Sequence, residues 1–221
     1  NIHSDLPGFI AKCCSESEVK KFIHISAIGA NADSNSLYQQ SKFSGEQKAL
    51  ANFKNTVIIR PSVVCGNEDN FTNLFAKLSL SPIIPVVRPD YKFQPILADD
   101  VATAIVKAIE IKKNEGKIYE IGGPTIISFK DMVKSIVNTI GKKRFIVEMP
   151  MPLAKVQAAL FSLMPKPLLT KDQCEILNEA DNIVSNKHLT LKDLNIKPTD
   201  VQKAMPKWLW RFRTGGEFAK I

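Results

Sequence analysis

A serine closes a short apolar run at Ser26, and Tyr38 and Lys42 follow about a dozen residues later. Four residues apart on a helix, a phenol and an ammonium share one face and lie within reach of each other. A free tyrosine titrates near 10. A cation held beside it favours the phenolate and moves the group toward use as a general acid or base. The lysine can also bond the ribose hydroxyls of a nicotinamide nucleotide, and the serine hydroxyl can bond a substrate carbonyl. Ser26, Tyr38 and Lys42 together therefore suit nicotinamide chemistry, with the three as a proton relay.

Such a set needs a sheet edge to present the serine and a helix to carry the pair. Residues 7–18 read as a helix, with Pro7 in its first turn and Phe9, Ile10 and Cys13 at apolar helical spacing. A short buried strand over 21–26 follows, in which His24 reads as a satisfied structural histidine. A small, polar loop over 27–36 leads to a helix over about 38–52, with Ser34 or Ser36 as its cap. The β-branched run 56–60, halted by Pro61, is a second buried strand. Strand, helix, strand implies two parallel strands joined by a right-handed crossover, with Ser26 at the C-terminal edge where open α/β sheets bind ligands.

Beyond this unit the pattern predicts a helix over 71–80, a proline-punctuated loop through Pro82, Pro85 and Pro89, and an extended piece over 93–97. A helix over 100–113 capped by Asp99 or Asp100 follows, then a strand over 117–121 and a helix to Thr139 opened by Ser128 and Asp131, with Gly141 past its end. A short strand from Phe145, an apolar helix over 152–164, a polar asparagine-rich stretch and an amphipathic helix over 200–212 complete the chain. The expected fold class is α/β, a partial Rossmann-like doubly wound parallel sheet with a smaller mixed C-terminal region. The division falls at 1–115 for the partial nucleotide-binding domain and 116–221 for the remainder.

Composition narrows the function classes. The chain has 221 residues, 44% hydrophobic and 24% charged, an ordinary globular balance. No apolar run approaches the roughly 20 residues of a membrane span, and no signal peptide is visible. Four cysteines without metal-ligand spacing, and three scattered histidines, point to free thiols in a reducing compartment and to no metal site. A net charge of +8 comes mostly from dispersed lysines and reads as a solvated surface rather than a nucleic-acid footprint. The denser group is terminal, where Lys203, Lys207, Arg211 and Arg213 interleave with Trp208, Trp210 and Phe212.

The order of strand, serine, polar loop, Tyr-x-x-x-Lys helix and strand ending Arg60-Pro61-Ser62 resembles the extended, epimerase-like short-chain dehydrogenases. Segments 22–27, 38–46, 60–69, 94–101 and 169–173 together resemble the 39-kDa accessory subunit family of respiratory complex I. That resemblance implies an atypical dehydrogenase fold holding NADP(H) or NAD(H), attached to the peripheral arm of complex I near the membrane, with the nucleotide structural rather than turned over. It implies Tyr38 and Lys42 at the nicotinamide ribose, backbone contacts from Pro61, Ser62 and Val63 along the nicotinamide, and Ser26 in the catalytic-serine place. Asp100 would be a helix cap. Asn67, Glu68, Asp69 and Phe71 match a loop whose role does not follow from the residues.

The family's glycine-rich phosphate loop, which binds pyrophosphate at a helix N-terminus, has no counterpart, since Gly8, Gly29, Gly45 and Gly66 are isolated. The expectation is the C-terminal portion of a longer chain or the product of a split gene, lining half a pocket and not retaining the nucleotide on its own. The leading expectation is an accessory, non-catalytic subunit of NADH:ubiquinone oxidoreductase on the cytoplasmic face of a bacterial inner membrane or the mitochondrial matrix side. The basic aromatic tail and the helix over 152–164 would be its docking or membrane-surface contacts. The alternative is an active NAD(P)-dependent reductase or epimerase on a small sugar or isoprenoid-like substrate.

Overall fold

The computed structural model describes residues 2–162, 164–165, 167–185 and 187–216. In chain order it runs α1 (Asp5–Ser15), β1 (Phe22–Ile25), α2 (Leu37–Asn52), β2 (Thr56–Pro61), β3 (Val64–Cys65) and α3 (Asn70–Leu78). Next come β4 (Ile83–Val87), β5 (Lys92–Phe93), β6 (Ile96–Leu97), α4 (Ala98–Glu110), β7 (Ile118–Ile121), β8 (Ile127–Ser128) and α5 (Phe129–Thr139). The chain continues through β9 (Phe145–Met149), α6 (Met151–Phe161), α7 (Lys171–Asn178) and a 3-10 turn Leu191–Leu194. Two short helices follow, α8 (Val201–Ala204) and α9 (Pro206–Leu209).

The apolar runs form a parallel sheet in the order β1-β2-β7, with Ile25 opposite Ile59 and Ile59 opposite Tyr119. All six residues of β2 are buried, as a central strand covered on both faces requires. Alternation sends Val57 and Ile59 to a cluster with Val101, Ala104 and Ala108 of α4. It sends Arg60 the other way, toward Glu46 of α2. The sheet is thus wound on both faces, as expected. Its third strand comes from beyond residue 115, so chain on both sides of that point builds one layer.

A second core gathers α3, α5, α6, α7 and the C-terminal helices around a parallel pair, β4 with β9. The proline-punctuated loop expected over 82–89 is therefore partly strand. Phe145 N donates to Pro82 O, a parity that turns residue 85 outward, where the missing N–H of Pro85 costs no ladder bond. The helix expected over 200–212 is divided between α8, α9 and a 3-10 turn Trp210–Phe212. Pro206 stands at the break and cannot donate backward. Part of this tail is committed within the chain, while Trp210 stays 39% exposed. Trp208 is buried with its Nε1 donating to Thr72 Oγ1 at 3.0 Å, and Arg211 donates to Asn67 O at 2.6 Å and Asn73 Oδ1 at 2.7 Å.

Three further expectations change. The asparagine-rich stretch begins with α7, opened by a capping box between Thr170 and Gln173. Helix α1 packs on α2 through Pro7, Gly8 and Ala11, leaving Phe9 and Ile10 exposed. A Cβ at Gly45 would stand 2.1 Å from His3 O, so that contact needs glycine. Helix α6 ends at Phe161, short of the expected 164, and residue 163 lies outside the described residues. The four cysteines are free thiols, as expected.

The sheet and α2 are joined by a buried ion cluster. Arg60 Nε and Nη2 donate to both oxygens of Glu46, at 2.8 and 2.7 Å, and Nη1 lies 3.5 Å from Glu120 Oε1. The other Glu120 oxygen accepts from the N–H and hydroxyl of Ser185, at 2.8 and 2.6 Å. Burial works against the charge on Arg60, but the two carboxylates outweigh it and raise its pKa. Breaking a buried pair by neutralising one member leaves an uncompensated charge, at a cost of roughly 3–5 kcal/mol. Arg60→Gln, which leaves the buried Glu46 and Glu120 carboxylates without their cation, is expected to lower unfolding free energy by about that amount in urea titrations, against less than 1 kcal/mol for neutralising the exposed Lys107–Glu110 pair.

Candidate functional site

Strand β1 ends at Ile25, so Ser26 stands at the C-terminal edge of the sheet, its N–H donating to Ile59 O at 2.7 Å. Its hydroxyl is buried and has no hydrogen-bond partner among the described residues. An orphaned buried hydroxyl is an uncommon, costly feature. Lys42 Nζ donates to Ile25 O at 3.2 Å and lies 5.8 Å from the centre of the Tyr38 ring. Lys42 therefore reaches the rim that carries Ser26, while the Tyr38 ring packs edge-on against His3, 5.5 Å from the His3 ring.

The electrostatics differ from expectation. The Lys42 ammonium sits over the ring face rather than at the hydroxyl, a cation–π contact near the outer limit of its range. Burial raises the Tyr38 pKa instead of an ammonium lowering it, although the residue is 37% exposed. Burial also lowers the Lys42 pKa, with Glu46 opposing. His24, on the α2 side of β1, is buried as expected but not satisfied, since its Nε2 has no partner among the described residues. Burial first, and the nearby Lys42 charge second, push its pKa down to about 4.

The loop before Tyr38 is held from the far end of the chain. Ser36 caps α2 through its side chain, and Asp172 of α7 accepts from Ser36 Oγ at 2.9 Å and Leu37 N at 2.7 Å. Glu179 accepts from Ser34 Oγ and Asn35 N, both at 2.7 Å. A carboxylate at a helix N-terminus stabilises it by satisfying free N–H groups and opposing the dipole. Sequence reasoning missed both acids, because partners more than 130 residues apart leave no local pattern. Asp100 is not a cap either. Leu97 occupies the N-cap of α4, and Asp100 accepts from Thr199 N at 2.8 Å. Asp69 does cap α3, and Asn67 anchors Arg211, which gives that loop a structural role.

Pro61, Ser62 and Val63 lie at the end of β2, next to the same rim. Their polar groups are engaged within the chain: Pro61 O accepts from Ile28 N, and Ser62 N donates to Ile121 O. The Asn182 carboxamide accepts from Val63 N at 3.2 Å and from Ser62 Oγ at 2.6 Å. Between the loop after β1 and residues 179–188 lies a polar cavity of about 450 Å³, lined among others by Gly29, Arg60, Glu120, Asn182 and His188. Among the described residues no cluster of His, Cys, Asp or Glu could hold a metal ion.

A parallel sheet wound on both faces, with a serine at its C-terminal edge, is a Rossmann-like arrangement, and solved structures share the fold. A dTDP-4-dehydrorhamnose reductase from Bacillus anthracis, in complex with NADP, aligns with a TM-score of 0.66 at 16% identity over 93% of this chain and 70% of its own. A UDP-glucuronic acid 4-epimerase from Bacillus cereus, with UDP-glucuronic acid and NAD, aligns at 0.60 and 20% identity over 94% and 67%. The chain belongs to the RmlD substrate binding domain family, which matches residues 29–213.

The resemblance expected from the sequence is also borne out. NADH dehydrogenase (ubiquinone) 1 alpha subcomplex subunit 9, mitochondrial, from Mus musculus is 32% identical over 219 residues, 97% of this chain and 57% of that protein. The Dictyostelium discoideum protein of the same name is 30% identical over 92% and 58%. The chain thus spans somewhat over half the length of these relatives.

The depressed His24 titration has a stability consequence. Below its ordinary pKa of about 6.5 the unfolded chain binds a proton that the native state refuses until about pH 4. Native stability is therefore expected to fall by up to about 3 kcal/mol as pH drops through that window. Urea titrations of the wild type and His24→Leu should differ in slope between pH 6.5 and 4, and equal slopes would refute the assignment.

Proposed function

We propose that this chain is an accessory, non-catalytic subunit of NADH:ubiquinone oxidoreductase that supplies the nicotinamide side of a site for NADP(H) or NAD(H). The observation that carries the reading is the rim itself. A buried Ser26 hydroxyl with no partner among the described residues adjoins the Ile25 carbonyl that holds Lys42, whose ammonium lies 5.8 Å from the Tyr38 ring. In this reading Tyr38 and Lys42 bond the nicotinamide ribose, Ser26 faces the ring, and Pro61, Ser62 and Val63 line its carboxamide side. The dinucleotide, when bound, is a hydride carrier.

Holding, not turnover, is what the residues favour. A phenol whose pKa is raised is a weaker acid and stays protonated at neutral pH, so it serves poorly in either direction of proton transfer. The relatives' names support membership of the respiratory complex. Attachment to the peripheral arm, on the matrix side or the corresponding bacterial face and close to the membrane surface, belongs to the same proposal. Among the described residues no helix is long and apolar enough to cross a membrane.

Tagged protein recovered in mild detergent should bring NADH dehydrogenase subunits with it, and recovery of none rejects the accessory role. A second test concerns Asn182. Its carboxamide occupies Val63 N and Ser62 Oγ, groups that the carboxamide of nicotinamide would use. Asn182→Ala is expected to tighten NADPH binding about fivefold, the worth of one hydrogen bond of roughly 1 kcal/mol. Nicotinamide fluorescence reads this directly, and weaker binding in the variant would show that Asn182 supports the site instead.

A further inference from the structure

A second cavity, of about 340 Å³, lies in the other core, between α3, α5, α6 and α7. That is within the range of ligand pockets, roughly 300–1,000 Å³. Its wall is an aromatic cluster: Phe71 packs 5.3 Å from Phe75 and 5.7 Å from Phe129, which lies 5.3 Å from Phe93. Among the described residues no charged side chain lines it, and its polar lining consists of Gln157 and Gln173. Gln173 is already committed, its Oε1 accepting from Thr170 N at 2.9 Å in the α7 capping box.

The chemistry of the wall excludes a sugar nucleotide. A diphosphate brought there would lose its hydration with no cation or cluster of N–H donors among the described lining residues to replace it, a heavy penalty. Apolar matter has the opposite balance. The approach is apolar as well. Leu153 and Leu160, 57% and 65% exposed, stand four residues before and three after Gln157 on α6, hence on the same face of that helix. Leu168 lines the cavity and is itself 47% exposed.

We propose that this cavity binds a single hydrocarbon chain, acyl or prenyl, which enters past the α6 and Leu168 rim and leaves any polar head outside. Val63 lines this cavity too, so the hydrocarbon would lie beside the nicotinamide side of the proposed nucleotide site, and its binding is read without any nucleotide present. Such a ligand departs from the sugar-nucleotide ligands named for the solved structures of the same fold.

The test uses the intact protein with cis-parinaric acid as fluorescent reporter. Saturable one-to-one binding is expected, displaced by octanol, decanol and dodecanol with affinity rising about fourfold per added methylene. UDP-glucose should displace nothing. Farnesol outcompeting dodecanol would identify a prenyl source, and the reverse an acyl source. Ile176→Trp, which fills the cavity from α7, should weaken every chain about fifteenfold or more, the equivalent of two lost methylenes. Absence of saturable binding, displacement that ignores chain length, or displacement by UDP-glucose overturns the proposal. The chain-length series on the unaltered protein decides the matter even if the variant folds poorly.

Discussion

The guanidinium of Arg60 is where the sheet, the helix bearing the candidate site and the C-terminal segment meet. It leaves the middle strand on the α2 face, is gripped by both oxygens of Glu46, and reaches Glu120 on the neighbouring strand. One cation between two buried carboxylates leaves a surplus negative charge. Ser185 answers it with two hydrogen bonds to Glu120, and the His188 ring approaches from the same segment. Buried ion pairs often add little net stability, because desolvation offsets attraction. Their value here is geometric. A bidentate fork tolerates little sliding, so Arg60 sets the rotation of α2 against the sheet and thereby aims Lys42 at the rim.

The other end of α2 is held by a different device with the same effect. Asp172 and Glu179 reach from α7 and the residue after it to the loop over Ser34–Leu37. Asn182 continues the contact to Ser62 and Val63. One stretch near the C-terminus therefore touches the capping loop of the site helix, the end of the second strand and the buried ion cluster. Loosening it would free the start of α2, the groups at Pro61–Val63 and the hydrogen bonds of Glu120 together.

What the sequence made legible follows from how local the physics is. The strand over Thr56–Pro61, the Ser36 cap, the Ser128 cap and the left-handed Gly141 after α5 depend on neighbours within four residues, and all were readable. The approach of Lys42 to the serine-bearing rim was readable from helical spacing combined with the end of a strand. The failures share a cause too. Pro85 reads as loop until a two-stranded sheet offers it an open edge. Phe9 and Ile10 read as a core face until the glycines at 8 and 45 draw the helices together on another side. Trp208 reads as a surface anchor until Thr72 supplies its hydrogen-bond partner from a distant helix.

The tyrosine–lysine pair shows why a motif does not settle chemistry. Spacing places the two groups together, but whether the ammonium reaches the hydroxyl or the ring face depends on where the lysine's own hydrogen bond is made. Here the Ile25 carbonyl takes it, leaving Nζ above the ring, and burial then governs the phenol. An ammonium near a ring face polarises the aromatic cloud without stabilising a phenolate oxygen through a hydrogen bond. Lys42 still points its ammonium at the rim, next to a Ser26 hydroxyl that has no partner among the described residues. Donor-rich geometry without an activated base fits the proposed role of holding a nucleotide rather than turning it over.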